Sequence, residues 1–387
     1  MSSTGPRTIA ILTSGRQDWG ILHSTAEAIR ADPDMRLRLL VGGMHLSARH
    51  GSAVALVRRD GFEPDSLLDW LGDGPADPPA DTQAAAALAA VGSDLRAHRP
   101  DAIVLAGDRF ETAAAALAAT VNGVPIVHLH GGEQTLGAFD DALRHAITKL
   151  AHLHLVSHEE HAARVIAMGE DPATVHVVGP PGLDAARRTD LPDRAALEQD
   201  LGLALRAPVI VVTVHPATLS ADPAATARAV AAAMDLVPAT WVVTLPNTDP
   251  GAAEVRAVME AAAAAPGRIA VQALGERRFW GLLRCADALV GNSSSALVEA
   301  PAFDVPAVNV GHRQDGRRRD ANVIDTPDDP VAIAAAVRRA LDPAFRAQTA
   351  AAHPTGLEGG SGARIAAIIA AWHPSTPPAK APISATR

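Results

Sequence analysis

The sequence of 387 residues is poor in several residue types: it has one cysteine, no tyrosine and 3% aromatic residues. A lone cysteine, Cys285, cannot form an internal disulfide, and such a count suits a reducing cytoplasm. No uninterrupted apolar run reaches membrane-spanning length, and the N-terminal residues lack the charged segment, apolar core and cleavage site of a signal peptide. The sequence therefore predicts a cytoplasmic protein with no membrane partner.

Positive charge is also scarce, with 34 Lys and Arg against 43 Asp and Glu and a formal net charge of −9. Nucleic-acid binding depends on clustered Lys and Arg, so the charge balance argues against nucleic acid as a partner but permits a local phosphate pocket. The composition is globular, with 48% hydrophobic and 20% charged residues. At this length we expect about two domains, because one hydrophobic core rarely serves so long a chain.

Short, almost continuously apolar runs alternate with Ala-rich helical stretches. Uninterrupted apolar runs are typical of strands buried on both faces of a parallel sheet, and their alternation with helices predicts a doubly wound α/β fold. The runs occupy residues 8–14, 37–43, 102–108, 126–132, 153–159 and 175–181, then 208–216, 241–247, 268–275, 288–294, 307–313 and 322–325.

The two sets of runs predict two Rossmann-like domains. We expect an N-terminal domain over residues 1–188 and a C-terminal domain over 189–361. The helical stretch 362–372 is expected to pack back on the first domain, and the Pro-rich tail 373–387 to be disordered.

Polar residues follow the apolar runs instead of interrupting them. Ligands of open parallel sheets bind at the carboxyl ends of strands, so this pattern predicts one ligand cleft walled by both domains, although loops are polar in any case. These residues are Arg16, Asp18, His45, Asp108, Arg109, Glu111, His130 and Glu133 in the first half, and His215, Asn247, Asp249, Ser293, Ser294, Ser295 and Arg313 in the second.

The segment "GNSSSALVEAPAF" (291–303) reads as a strand, a serine-rich turn and a helix. Hydroxyls and backbone N–H groups at a helix N-terminus favour an anion, and the Arg-rich residues 311–319 favour phosphate over simple capping. Glu299 suits either a ribose diol or a solvated helix face, and Arg16 in "TSGRQDWG" could clamp a diphosphate. Neither G-x-G-x-x-G nor G-x-x-x-x-G-K-[ST] occurs, which argues against a dinucleotide cofactor and a triphosphatase.

The stretch "VHLHGGEQTLGAFDDALRH" (127–145) is the most densely ionisable in the chain. His128 and His130 alternate on a strand, so their side chains point to opposite faces and are poor partners for one metal ion. Asp140 and Arg144 are four residues apart, and we expect an ion pair on one helix face. The spacings match no zinc pattern such as H-E-x-x-H, which leaves a metal site as a minor alternative.

Two further residues suit acid/base work. Asp108 lies at a buried strand end, where a carboxyl group can have a raised pKa and transfer protons, although it could equally cap the following helix. His215 in "VTVHPAT" occupies the corresponding place in the second domain and is either structural or catalytic.

Several motifs together resemble the hydrolysing UDP-N-acetylglucosamine 2-epimerases of sialic-acid-type sugar biosynthesis. They are "TSGRQDWG", "AGDRFE", "HLHGGEQTLGAFDDALRHAITKLAHLH", "VHPAT", "LPNTDPG", "GNSSSALVEAP" and "GHRQDGRRRDANVID". The resemblance runs from about residue 8 to 370 with the motifs in the same order. It implies a GT-B fold, no metal or nicotinamide cofactor, and a homo-oligomer, either a dimer or a tetramer.

The resemblance also implies a reaction. A base removes the C2 proton of the sugar while UDP departs from C1, and water adds to the resulting 2-acetamidoglucal to release N-acetylmannosamine. Such an elimination needs positioned acid/base groups and a stabilised diphosphate leaving group. The resemblance implies that Asp108 and Asp140 are the acid/base carboxylates, that Arg144 positions them, and that His215 is the catalytic histidine near the diphosphate. It also implies that the diphosphate and uridine are bound by Arg16, Ser293, Ser294 and Arg313, and the ribose by Glu299.

The chain departs from the family pattern at one catalytic position. Some members carry glutamate where this chain has His130, and either His130 or Glu133 could supply the second acid/base function. Three alternatives stay open: a related substrate, such as a 2,4-diacetamido sugar or another nucleotide carrier; a GT-B glycosyltransferase, which shares the nucleotide site; and a metal hydrolase.

Overall fold

A computed structural model describes residues 5–74, 76–135, 139–187, 191–217, 222–246, 249–272, 274–351, 359–375 and 380. The chain divides into two compact units. The first comprises Met1–Glu133, Asp140–Ala185 and Glu358–Arg387, and the second Gln134–Phe139 and Ala186–Leu357. None of the described helices combines the length and the apolar character that crossing a bilayer requires.

The first unit is a sheet covered by helices. Its strands are β1 (Arg7–Thr13), β2 (Met35–Gly42), β3 (Ser66–Leu68), β4 (Ala102–Ala106), β5 (Ile126–Leu129), β6 (Leu153–Val156) and β7 (Val175–Val177). Its helices are α1 (Arg16–Ala31), α2 (Val54–Arg59), α3 (Ala80–His98), α4 (Phe110–Val121), α5 (Asp140–Leu150), α6 (Glu159–Ala167) and, from the C-terminal end of the chain, α14 (Ser361–Ala371). The described strands pair in parallel in the order β3-β2-β1-β4-β5-β6-β7.

The second unit repeats this plan. Its strands are β8 (Val209–Thr213), β9 (Thr240–Thr244), β10 (Arg268–Val271), β11 (Ala288–Gly291), β12 (Ala307–Val310) and β13 (Val323–Thr326). Its helices are α7 (Arg194–Leu201), α8 (Ala225–Met234), α9 (Ala252–Ala263), α10 (Glu276–Cys285), α11 (Ser295–Val298), α12 (Pro330–Ala340) and α13 (Pro343–Ala351). The described strands are parallel in the order β10-β9-β8-β11-β12-β13.

The central strands are mostly apolar because both faces of the sheet are buried there. In β4, Ala102, Val104 and Ala106 belong to one apolar cluster. Ile103 and Leu105, which alternate with them, belong to another. Strand β8 divides its residues between two clusters in the same way. The predicted doubly wound α/β class is therefore confirmed.

Every predicted apolar run overlaps a strand, but β3 lies outside all of them. It has three residues at the edge of the first sheet, and its central Leu67 is half exposed. An edge strand this short buries too little apolar surface to leave a readable pattern in the sequence.

In each sheet the strand order reverses between two neighbouring strands: successive strands are added on one side of this point and then on the other. The two strands are β1 and β4 in the first unit and β8 and β11 in the second. Loops that leave such neighbouring strands in opposite directions open a crevice at the carboxyl ends, which is where open α/β sheets bind ligands. Gly291 ends β11 at this point with φ of 141°, and a Cβ there would collide with the carbonyl of Thr213. Only glycine allows the two strands to approach so closely.

Helix α14 packs on α1 within the first unit. Ile365 and Ile369 are fully buried in the apolar cluster that α1 and the sheet share. The carboxylate of Asp184 accepts hydrogen bonds from the backbone N–H groups of Ser361 at 2.9 Å and Gly362 at 2.7 Å, which satisfies the free donors at the start of α14. The C-terminal helix is thus part of the first core.

Replacing Ile369 tests this packing. Ile369→Ala should lower the free energy of unfolding of the first unit by about 2–5 kcal/mol, because it leaves a cavity under α1. Hydrogen exchange in β1 measures the loss and separates the first unit from the second. Ile368→Ala, at a half-buried position of the same helix, is the control and should cost less. Equal losses would contradict the packing described.

Candidate active site

The turn after β1 holds Arg16 at the start of α1. Asp18 lies in the first turn of that helix, and its carboxylate accepts hydrogen bonds from the Oγ and, at 3.1 Å, the backbone N–H of Ser14. Burial raises the pKa of Asp18, and Arg109 opposes that rise. Asp18, which we predicted to be a substrate contact, thus closes the turn that presents Arg16.

A second carboxylate lies near Asp18. Glu111, almost fully buried at the start of α4, receives two hydrogen bonds from Arg109, of 3.0 Å and 3.2 Å. Burial raises the pKa of Glu111, whereas Arg109 lowers it and Asp18 raises it further. One arginine thus offsets the charge of two buried acids beside the turn after β1.

Asp108 follows β4, and its partner comes from α5. Arg144 Nη2 donates a hydrogen bond to Asp108 Oδ2. The Arg144 side chain is 2% exposed, whereas that of Asp108 is 21% exposed. A buried cation therefore holds a carboxylate that solvent or a ligand can still reach. Asp140 and Asp141 lie in the first turn of the same helix, where the helix dipole favours negative charge.

His130 and Glu133 form a buried pair in the turn after β5. His130 Nδ1 lies 2.7 Å from Glu133 Oε1, and Ser157 Oγ donates to the same oxygen at 3.1 Å. Because an ionised carboxylate only accepts hydrogen bonds, this contact places the imidazole proton on Nδ1. His130 Nε2 is then the basic nitrogen; it is buried and has no hydrogen-bond partner within the described ranges.

The predicted alternation of His128 and His130 on one strand is wrong: β5 ends at Leu129, and His130 lies in the turn that follows, with φ of 62°. The two rings nevertheless have different partners. His128 Nε2 lies 2.8 Å from the carbonyl oxygen of Gly107, whereas His130 bonds to Glu133. Across the part of the chain that the structure describes, no group of three or more His, Cys, Asp or Glu side chains has an arrangement that could hold a metal ion.

In the second unit the serine-rich turn differs from the expected helix start. Helix α11 is a single turn, Ser295–Val298, and a short 3₁₀ segment follows over Ala300–Phe303. Pro301 explains the break, since proline lacks the N–H that an α-helix needs and its ring clashes with the preceding turn. Ser293 is buried and its Oγ accepts a hydrogen bond from the backbone N–H of Ser295 at 3.3 Å. Glu299 lies at the junction of the two helical segments and is half-buried.

The sequence analysis missed Asn292, which joins several predicted site residues. Its Oδ1 accepts from the backbone N–H of His215 at 2.7 Å, and its Nδ2 donates to the His215 carbonyl at 2.8 Å. Its own carbonyl accepts from Arg313 Nη1 at 3.2 Å and Gln314 Nε2 at 2.7 Å. The only signal in the sequence was its place in "GNSSS", where the serines drew attention instead.

The structure brings most predicted residues to strand ends in their own units. Asp108, Arg144, His130 and Glu133 lie in the first unit, and His215, Ser293 and Arg313 meet around Asn292 in the second. Asn247 lies outside the described residues, so its predicted role stays a prediction.

Two Rossmann-like units with polar turns after their central strands define a GT-B fold. The crystal structure of UDP-GlcNAc 2-epimerase from Neisseria meningitidis bound to UDP-GlcNAc has the same fold, with a TM-score of 0.78 and 14% identity, over 94% of this chain and 98% of that one.

Residues 27–370 match the family model described as UDP-N-acetylglucosamine 2-epimerase. The chain belongs to this family. A hydrolysing UDP-N,N'-diacetylbacillosamine 2-epimerase of Legionella pneumophila is 33% identical, over 87% of this chain and 89% of that protein. The UDP-N-acetylglucosamine 2-epimerase of Neisseria meningitidis is 29% identical, over 86% of this chain and 87% of that protein.

Asn292→Ala tests the two hydrogen bonds between the Asn292 side chain and the His215 backbone. The variant removes the acceptor of the His215 amide, so hydrogen exchange at that amide should rise by about tenfold or more, which corresponds to a lost hydrogen bond of about 1.4 kcal/mol. Asn309→Ala is the matched control, because Asn309 is equally buried on the adjacent β12 and donates to Asp325 at 2.7 Å. Unchanged hydrogen exchange at the His215 amide in Asn292→Ala would show that Asn292 does not hold this amide.

Proposed function

We propose that the protein is a hydrolysing 2-epimerase of a UDP-linked 2-acetamido sugar, with UDP-N-acetylglucosamine as the first candidate substrate. The C2 proton passes to a protein base, the C1–O bond breaks and UDP departs, which leaves 2-acetamidoglucal. Water then adds: its hydroxyl joins C1, and a proton reaches C2 from the opposite face. The products are N-acetylmannosamine and UDP.

The observation that carries this proposal is the register of β4 and β5. Ala106 pairs with Leu129, so Asp108 and His130 follow neighbouring strands at the same sheet edge. Each is held by a buried partner, Asp108 by Arg144 and His130 by Glu133. Acid/base groups positioned in this way suit a reaction that takes a proton from carbon and returns one.

The pairing also supports an answer to which group transfers the second proton. Glu133 Oε1 is engaged by His130 Nδ1 and Ser157, whereas His130 Nε2 has no partner among the residues that the structure describes. We assign proton transfer to His130 Nε2 and the orientation of the ring to Glu133. A carboxylate behind the ring also stabilises the imidazolium that forms when Nε2 takes a proton.

The second unit suits the nucleotide. Backbone N–H groups and hydroxyls of a serine turn, with an arginine beside them, can neutralise the charge that develops on a departing diphosphate. We assign diphosphate and uridine contacts to Arg16, Asn247, Ser293, Ser294, Ser295 and Arg313, and the ribose to Glu299. Asp18 holds the turn that presents Arg16, and His215 is assigned a catalytic place beside the diphosphate.

A second candidate substrate is a UDP-2,4-diacetamido sugar. The Legionella relative, at 33% identity, is named for UDP-N,N'-diacetylbacillosamine, and it is more similar than the Neisseria UDP-N-acetylglucosamine epimerase, at 29%. The two substrates differ at C4 and C6 and share the C1–C2 bond where the elimination occurs. The same acid/base groups therefore serve either one.

Incubation with each UDP-sugar in deuterated water tests the reaction. NMR should show free UDP and the 2-epimeric free sugar with deuterium at C2, because the proton returned to C2 comes from solvent. Release of N-acetylglucosamine without label at C2 would overturn the proposal. Sugar transfer that requires an acceptor would identify a glycosyltransferase. The rate should survive exhaustive chelation, and its loss and recovery on adding metal would favour the metal hydrolase instead.

Carboxylate variants test the assigned roles. Asp108→Asn and Asp140→Asn should each lower kcat by about 10²–10⁴-fold, the range typical of a lost acid/base group, while UDP affinity changes little. Asp141→Asn is the control: it is the neighbour of Asp140 and lies 3.5 Å from His145 as an ion pair. It should keep kcat within about twofold. An equal loss of UDP affinity in Asp108→Asn and Asp140→Asn would contradict their role in proton transfer.

A further inference from the structure

His128 is a fully buried histidine that the proposed reaction does not use. It lies on β5, and its two ring nitrogens contact two different parts of the acid/base site. Nε2 lies 2.8 Å from the carbonyl oxygen of Gly107, the residue directly before Asp108. Nδ1 lies 3.2 Å from Thr148 Oγ1, and that hydroxyl lies 3.1 Å from the Arg144 carbonyl, one helical turn earlier.

The chemistry of these partners determines where the ring proton lies. A carbonyl oxygen can only accept, so Nε2 of His128 carries the proton and donates to Gly107. Burial lowers the pKa of His128 to about 3, so the ring is neutral at ordinary pH and Nδ1 is an acceptor. The Thr148 hydroxyl carries one proton, and both Nδ1 and the Arg144 carbonyl oxygen can accept it, so the hydroxyl joins the ring to the Arg144 turn of α5. One neutral ring thus connects the loop after β4 to helix α5 through two directional bonds.

We propose that His128 is a positioning residue: by joining Gly107 to Thr148, it keeps Asp108 and Arg144 within hydrogen-bond distance of each other. The inference rests on the proposed function, in which Asp108 transfers a proton. The Asp108–Arg144 bond joins a loop to a helix, and either element could shift without a second link. The His128 bridge supplies that second link. It joins Gly107, which directly precedes Asp108, to Thr148, which lies one helical turn after Arg144.

The turn that carries His130 packs against the contact between His128 and Thr148. A Cβ at Gly131 would lie 3.1 Å from both His128 Nδ1 and Thr148 Oγ1. That is closer than ordinary van der Waals contact, so a side chain at this position would press on the bridge, and the turn lies directly against it. His128 therefore contacts all three elements that present acid/base groups: the loops after β4 and β5, and helix α5.

The chain offers a matched control in His154. It pairs with His128 across the sheet on the adjacent β6, and it is equally buried. Its Nε2 bonds at 3.0 Å to Glu170, which also pairs with Lys149. Substitution of either histidine removes a buried ring from the same layer of the sheet, but only His128 is bonded to the residue before Asp108.

Kinetics of three variants test the proposal, measured well below the thermal transition of each protein. His128→Leu should lower kcat by about 10–100-fold with UDP affinity unchanged within twofold. His128→Gln, whose amide can still donate to Gly107, should recover most of kcat. His154→Leu should lose stability yet keep kcat within about twofold. Equal kcat losses in His128→Leu and His154→Leu, or no recovery in His128→Gln, would overturn the role.

A double-mutant cycle tests the second bond. Thr148→Val removes the hydroxyl at nearly constant volume and should lower kcat by a smaller factor, about 3–10-fold. If both bonds act through one bridge, adding Thr148→Val to His128→Leu should cause no further loss. Multiplicative losses would show that the two residues act separately and would contradict the bridge.

Crystal structures of the wild type and His128→Leu keep this proposal distinct from the proposed function. The Asp108–Arg144 bond should be present in the wild type and broken or displaced in the variant. That result would support positioning even if no UDP-sugar were turned over, in which case only the proposed function fails. An intact bond in His128→Leu would overturn the positioning role whatever the substrate.

Discussion

Both sheets are buried on both faces, and the rest of the structure depends on this constraint. Strands such as β4 and β8 place successive residues in separate apolar clusters on opposite faces, which leaves little room for charge along a strand. Charged groups are therefore concentrated where strands end. The parallel register then aligns these ends, so that Asp108 and His130 become neighbours although 21 residues separate them in the sequence.

Ionisable groups at such places need partners, because burial disfavours their charged forms. Among the residues that the structure describes, three of these groups have such partners: Arg109 for Glu111, Arg144 for Asp108, and Glu133 for His130. These contacts fix side-chain directions before any substrate arrives. A site arranged in this way does not need to reorganise its dipoles during the reaction, which is where much catalytic stabilisation originates.

The sequence was sufficient for the fold class, because that follows from periodicity. It predicted that strand alternation separates His128 from His130, whereas β5 ends before His130 and a turn separates the two rings. The sequence was less informative about which side chains form hydrogen bonds with each other. The i,i+4 spacing predicted an ion pair of Arg144 with Asp140, whereas the bond that the structure gives Arg144 Nη2 is to Asp108, a residue 36 positions away. Asn292 was missed for the same reason: its importance lies in bonds to His215, 77 residues distant. Long-range pairing depends on strand register, which single-sequence patterns do not specify. The break after α11 was readable from Pro301, had proline been weighed against the serine motif.

His130 shows how a changed residue can preserve a proton-transfer site. Its φ of 62° lies in the left-handed region, which costs a non-glycine residue about 1–3 kcal/mol and persists only where surrounding contacts maintain it. The bond to Glu133 and the backbone hydrogen bond from the His130 N–H to the Leu155 carbonyl, at 3.3 Å, maintain it here. In the proposed reaction, an imidazole places less negative charge beside the breaking C1–O bond than a carboxylate in the same position would. The carboxylate of Glu133 lies behind the ring, where it supports the imidazolium. Histidine at this position is thus compatible with the elimination, provided that Glu133 stays bonded to Nδ1.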